Sequence, residues 1–123
     1  MSDPLFVYGT LMTGETRASI LGDLRRVPAT CTGMLYDLPA GYPALDPTQE
    51  GRVHGELVEA PPAEMWGVLD LYEGVGQGLY RRVKVDVRLG MRRILAWSYV
   101  MDRPWERGGR VIANGRWKRM RRR

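Results

Sequence analysis

The carboxylates are where chemistry has to be sought, because the other reactive side chains are scarce. The chain has one cysteine, Cys31, and one histidine, His54. Cys31 sits in the strand-like run "ATCTGML" and His54 on the polar side of another. They form a nucleophile–base pair only if the fold joins them, and cysteine is among the most buried residue types. One Cys and one His do not make a protein metal site of the usual kinds, and no cofactor is expected. A Gly-x-Ser-x-Gly elbow, a Walker loop and a Gly-x-Gly-x-x-Gly turn after a strand are all absent from the sequence. "GVGQG" at 74–78 is a lone glycine cluster and reads as a flexible connection.

Glu73 stands apart from the other 13 acids, most of which lie in solvated settings. It ends the run "PPAEMWGVLDLYEG", four residues after Leu69, so helical spacing places it at the edge of the apolar stripe. It also falls at the helix C-terminus, where the macrodipole favours Lys or Arg by about 0.3–1 kcal/mol. Burial and dipole both push its pKa upward, toward the range useful to a general base. Asp70, one turn earlier, reads as a solvated face residue. The second pointer is "FVYGTLM" at 6–12, where an apolar strand ends in Tyr8-Gly9-Thr10. A turn would need such residues, and so would a cradle of backbone N–H groups around a ligand.

These groups need elements to hold them. Leu5–Tyr8 reads as a strand. "TGETRASILGDLRRV" (13–27) reads as a short helix, with Thr16 as N-cap and Gly22 as stop. "TCTGMLYDLP" reads as one strand and "AGYPALDPTQEG" as a Pro/Gly/Asp-rich loop. "RVHGELVEA" alternates Val53, Gly55 and Leu57 against Arg52, His54 and Glu56. In 61–74 the prolines suit the first turn, Met65, Leu69 and Tyr72 recur at helical spacing with Val68 beside them, and Gly74 suits the stop. "YRRVKVDVRL" sets Val83, Val85, Val87 and Leu89 against charges, as a strand does. "RRILAWSYVM" is apolar on both faces, which predicts a strand buried on both sides. Trp66, Trp97 and Tyr99 are assigned to core or barrel lining. Residues 102–117 read as a loop and a short terminal element.

The elements add up to an α+β domain on one strongly curved sheet, closed into a small barrel, with one main helix beside it. The 123 residues suit a single domain, and 15 glycines with eight prolines imply many turns. No basic-then-apolar leader and no run of about 20 apolar residues is visible, so a cytoplasmic protein without membrane contact is expected. Net charge is +5, yet "RWKRMRRR" at 116–123 carries six basic residues, which leaves −1 for the body. The domain is therefore placed at 1–115 and a disordered basic tail at 116–123. Any attraction to nucleic acid is limited to weak, salt-sensitive contact by that tail.

"FVYGTLM", "GYPAL", "GRVHGELVEA", "LDLYEG", "YRRVKVDV" and "AWSYV" follow in the order and approximate spacing of the γ-glutamylcyclotransferase-like family, which includes AIG2-like proteins and γ-glutamylamine cyclotransferases. The resemblance covers residues 5–101, with "IANGRW" a looser match. It implies a small mixed β-barrel with flanking helices and no cofactor. It implies that Glu73 acts as general acid/base and that Tyr8, Gly9, Thr10 and Leu11 hold a γ-glutamyl amine or peptide, which closes to 5-oxoproline. Tyr42 and Tyr80 are further substrate-contact candidates. Tyr42 equally suits a cover over a core edge, and Tyr80 equally suits packing. On this reading Gly9 leaves open the space that substrate fills. The alternatives are a non-catalytic module that binds a small metabolite in the same cavity, and an interaction protein that uses its tail.

Overall fold

The computed structural model describes residues 3–117. Eight strands and one α-helix follow in the order β1 (Leu5–Val7), β2 (Arg26–Thr32), β3 (Met34–Asp37), β4 (Pro43–Asp46), β5 (Arg52–Val58), α1 (Ala63–Tyr72), β6 (Arg81–Leu89), β7 (Arg92–Val100) and β8 (Arg110–Val111). Five of them close a mixed barrel in the order β1-β5-β2-β6-β7, and β4-β3-β8 form a separate small sheet. The expected α+β barrel with one main helix is the architecture found. β1 closes it, antiparallel to β5 and parallel to β7 through Leu5 and Trp97.

Alternation on the strands builds two cores. Phe6 and Tyr8 point into the barrel with Cys31, Val53, Val85, Val87, Ala96 and Val100. Leu5 and Val7 point the other way and join Leu21, Leu69, Tyr80, Tyr99 and Met101 in a second core. β1 is thus apolar on both faces because both are covered. Leu69 is the fully buried residue of α1 and anchors the helix to this second core. Leu69→Ala is expected to cost about 2–5 kcal/mol.

Several expectations need correction. Residues 13–27 are not one helix: a 3-10 turn spans Ala18–Leu21, Thr16 caps nothing, and β2 already begins at Arg26. "TCTGMLYDLP" is split at Gly33 into β2 and β3, which belong to different sheets. The Pro-rich loop contains β4, all four residues of which are buried. β7 is buried on both faces only from Ser98 to Val100, and Leu95 is exposed. Val68 is exposed too, so the apolar stripe of α1 is narrower than its sequence implied. The helix stop holds: Gly74 adopts φ +69°, a left-handed conformation suited to glycine after a helix end. Packing runs past the expected domain boundary to Trp117, which is buried in the barrel core. The rest of the basic tail lies outside the described residues.

Candidate active site

Glu73 follows the last turn of α1, with its N–H bonded to the Leu69 carbonyl at 2.9 Å. Its side chain lines a cavity of about 140 Å³ together with Tyr8, Gly9, Thr10, Leu11, Tyr42 and Tyr80. Every site residue named from the sequence therefore meets in one place. Phe6, Val7, Pro43, Tyr72, Leu79 and Tyr99 complete the wall. Burial raises the Glu73 pKa from 4.5 to about 7.

The loop after β1 is clamped from outside. Arg26 donates to the Leu11 carbonyl at 2.7 Å and to the Ala18 carbonyl at 3.3 Å, and pairs with Glu56 at 3.3 Å. Glu56 in turn accepts from the Thr13 N–H at 2.9 Å. Both side chains are mostly buried, so this pair is better shielded than a surface ion pair. Among the described residues the N–H groups of Gly9, Thr10 and Leu11 have no hydrogen-bond partner. These three residues form part of the cavity wall.

The reason for Gly9 differs from the one expected. A Cβ there would come within 2.5 Å of Pro43 Cγ, so the glycine admits the proline ring rather than a substrate. Pro43 is fixed in turn by Tyr80, whose hydroxyl donates to its carbonyl at 2.6 Å. Tyr8 likewise donates to the Tyr99 carbonyl at 2.6 Å and accepts from the Leu45 N–H at 3.2 Å. These two tyrosines hold the cavity walls together across three strands. Tyr42 packs beside Tyr80, with ring centroids 6.4 Å apart.

Sequence reasoning missed three contributors. Tyr72 shares a 2.9 Å hydrogen bond with Thr10 Oγ1 and carries the Arg17 guanidinium 5.4 Å above its ring. Tyr99, assigned to the core, lines the cavity and donates its hydroxyl to Asp70 at 2.6 Å. Asp70 is no free face residue, since it also pairs with Arg82 at 3.2 Å. Only adjacency to Glu73 in the chain hinted at Tyr72 and Asp70. Trp66 and Trp97, expected in the core or barrel lining, are partly buried and flank the Arg82 guanidinium at 4.6 and 5.4 Å. Cys31 and His54 do not pair. Cys31 is buried inside the barrel, its thiol pushed up to about 12 by burial. His54 lies opposite Thr30 on β2, on the other face, where burial and the charges of Arg116 and Arg52 lower its pKa.

A closed mixed barrel with a buried carboxyl at a helix end, facing a glycine-containing loop, defines an enzyme-like pocket of a recognisable class. The gamma-glutamyl cyclotransferase, AIG2-like family model matches residues 5–119, and the chain belongs to that family. Among solved structures it is similar to YkqA of Bacillus subtilis, at 29% identity and a TM-score of 0.74 over 95% of this chain and 40% of that one. The chain thus spans well under half of YkqA. An Arabidopsis thaliana protein is 27% identical with a TM-score of 0.70, over 96% of this chain and 70% of that one. An AIG2-like protein of Mus musculus shares the fold at a TM-score of 0.76 and 18% identity, over 95% of this chain and 88% of that one. No match was found among curated proteins. No helix of the described residues is long and apolar enough to cross a membrane.

Proposed function

We propose that the protein is a γ-glutamyl cyclotransferase that converts a small γ-glutamyl amine or peptide to 5-oxoproline and a free amine. The observation that carries this reading is the placement of Glu73, a buried carboxyl with a pKa of about 7, in one cavity with residues 8–11. Membership in the family gives the reaction class its support.

The substrate α-ammonium has a pKa of about 8 and is no nucleophile until it loses a proton. Glu73 takes that proton. The freed amine attacks the γ-carbonyl carbon of the same molecule and closes a five-membered ring. Negative charge moves onto the carbonyl oxygen, where the N–H groups of Gly9, Thr10 and Leu11 receive it. The C–N bond to the leaving amine then breaks as Glu73 returns its proton to that nitrogen. The second proton of the attacking nitrogen passes to the leaving amine, which departs as an ammonium. Because attack is intramolecular, a cavity that holds the chain curled supplies much of the acceleration. Tyr42 and Tyr80 shape that cavity; the Tyr80 hydroxyl proton is held by Pro43, so Tyr80 contacts substrate through its ring.

The test is incubation with γ-glutamyl amines, amino acids and dipeptides, with 5-oxoproline read by mass spectrometry. Lactam from at least one of them, lost in Glu73→Gln, is the expected result. Turnover that survives Glu73→Gln removes Glu73 as the base. Binding of γ-glutamyl compounds with no lactam from any of them replaces the enzyme by a metabolite-binding module.

A further inference from the structure

Of the five tyrosines that line the cavity with Glu73, three donate their hydroxyl protons to other groups and Tyr72 shares a hydrogen bond with Thr10. Tyr8 just after β1 donates to the Tyr99 carbonyl, and Tyr80 before β6 donates to the Pro43 carbonyl. Tyr72 on α1 shares its hydroxyl with Thr10. Tyr99 on β7 donates to Asp70, at 2.6 Å. Three of these partners are backbone carbonyls or a neutral hydroxyl. The fourth is a carboxylate, one turn before Glu73 on the same helix, and it is held from behind. Arg82 pairs with Asp70 at 3.2 Å while its guanidinium lies 4.6 and 5.4 Å from the Trp66 and Trp97 rings, which meet edge to face. Cation–π attraction to these rings adds to the hold of the ion pair on the Arg82 guanidinium.

We propose that Asp70 is a positioning residue for Glu73: it holds the Tyr99 hydroxyl proton on its own carboxylate, so that this phenol does not donate to Glu73, and it ties the last turn of α1 to β7. This rests on Glu73 being the base. Tyr99 and Glu73 line the same cavity, and the Glu73 charge acts on the Tyr99 phenol. Among the described residues Glu73 is the one carboxylate that lines the cavity with this phenol. A hydrogen bond to the ionised form would lower the Glu73 pKa and weaken it as a base. The remaining charged groups are Arg17, over the Tyr72 ring, and Arg107, whose charge acts on Tyr80. Neither pairs with Glu73 or Asp70 among the described residues.

The experiment is titration of the Glu73 side-chain carboxyl by 13C NMR, which needs no turnover. Asp70→Ala should lower the Glu73 midpoint by about one pH unit. Asp70→Ala combined with Tyr99→Phe should return it, because the phenol is gone. Tyr99→Phe alone, an isosteric change that spares the fold, should leave the midpoint in place. A midpoint that rises in Tyr99→Phe shows that Tyr99 already donates to Glu73 and overturns the proposal. So does an unshifted midpoint in Asp70→Ala, or a shift that Tyr99→Phe does not reverse. In the lactam assay the acid limb of kcat should move with the midpoint in each variant. If Glu73→Gln keeps full turnover, the assignment of the base fails, while the titration still decides what Asp70 does.

Discussion

Cys31 and Glu73 are both ionisable groups whose pKa burial raises, in two different surroundings. Cys31 lies inside the closed barrel, packed among Val53, Val87 and their neighbours, and burial pushes its thiol up to about 12. Glu73 lies outside the barrel wall, and burial raises its carboxyl only to about 7. The same physical cause acts on both. The difference is the cavity: Cys31 is packed among core side chains, whereas Glu73 lines a cavity together with residues 8–11. A perturbed pKa therefore points to function here only where room for a second molecule accompanies it.

The largest expected effect separates the two directly. Glu73→Gln should lower the rate of lactam formation by about 10²–10⁴-fold, the range ascribed to general acid–base catalysis. Cys31→Ala should leave that rate unchanged. Next is a pH dependence of stability. Glu73 binds its proton more tightly in the fold than in the unfolded chain. Its stabilising contribution is therefore complete below pH 4.5 and is lost as pH rises through about 7. Urea unfolding at pH 4 and pH 9 should show a loss on the order of 2–4 kcal/mol that Glu73→Gln abolishes. The Glu73 carboxyl is then a stability cost at neutral pH, whereas the neutral thiol is not.

Gly9→Val should come third. Its side chain meets Pro43, so the expected outcome is a destabilisation of about 1–3 kcal/mol together with a raised KM. An unchanged melting temperature with binding lost would restore the idea that Gly9 makes room for substrate. The smallest effect is the stability change of Cys31→Ala, about 1–2 kcal/mol by thermal unfolding, for a small void in the barrel.

How far the sequence revealed this site depends on how local each signal is. Glu73 was legible because an acid on an apolar helical stripe violates local preference, and both facts sit within one turn. The loop at Tyr8–Leu11 was legible because a strand visibly breaks at glycine. Its clamp was not, since Arg26 and Glu56 are ordinary charges until β2 and β5 pair. The start of β2 was hidden because the stretch 13–27 was read as a short helix from its Thr16 cap and Gly22 stop, whereas the strand already begins at Arg26. β4 was hidden because four residues buried on both faces show no alternation, and two prolines bracket them. Asp70 was misplaced because its partners, Tyr99 and Arg82, come from strands that follow it in the chain.

The strand that closes the barrel also carries the loop that faces Glu73. Leu5 meets Val58 on one side and Trp97 on the other, so β1 waits on contacts with residues far along the chain. Such long-range pairing is slow to form, because the intervening chain must be ordered first. The pocket is then among the last features to exist during folding. On this account residues 8–11 meet Glu73 only once the barrel has closed. Recovery of ligand binding after dilution from denaturant would time the closing of the barrel, in a way that helix signals, which report α1 alone, would not.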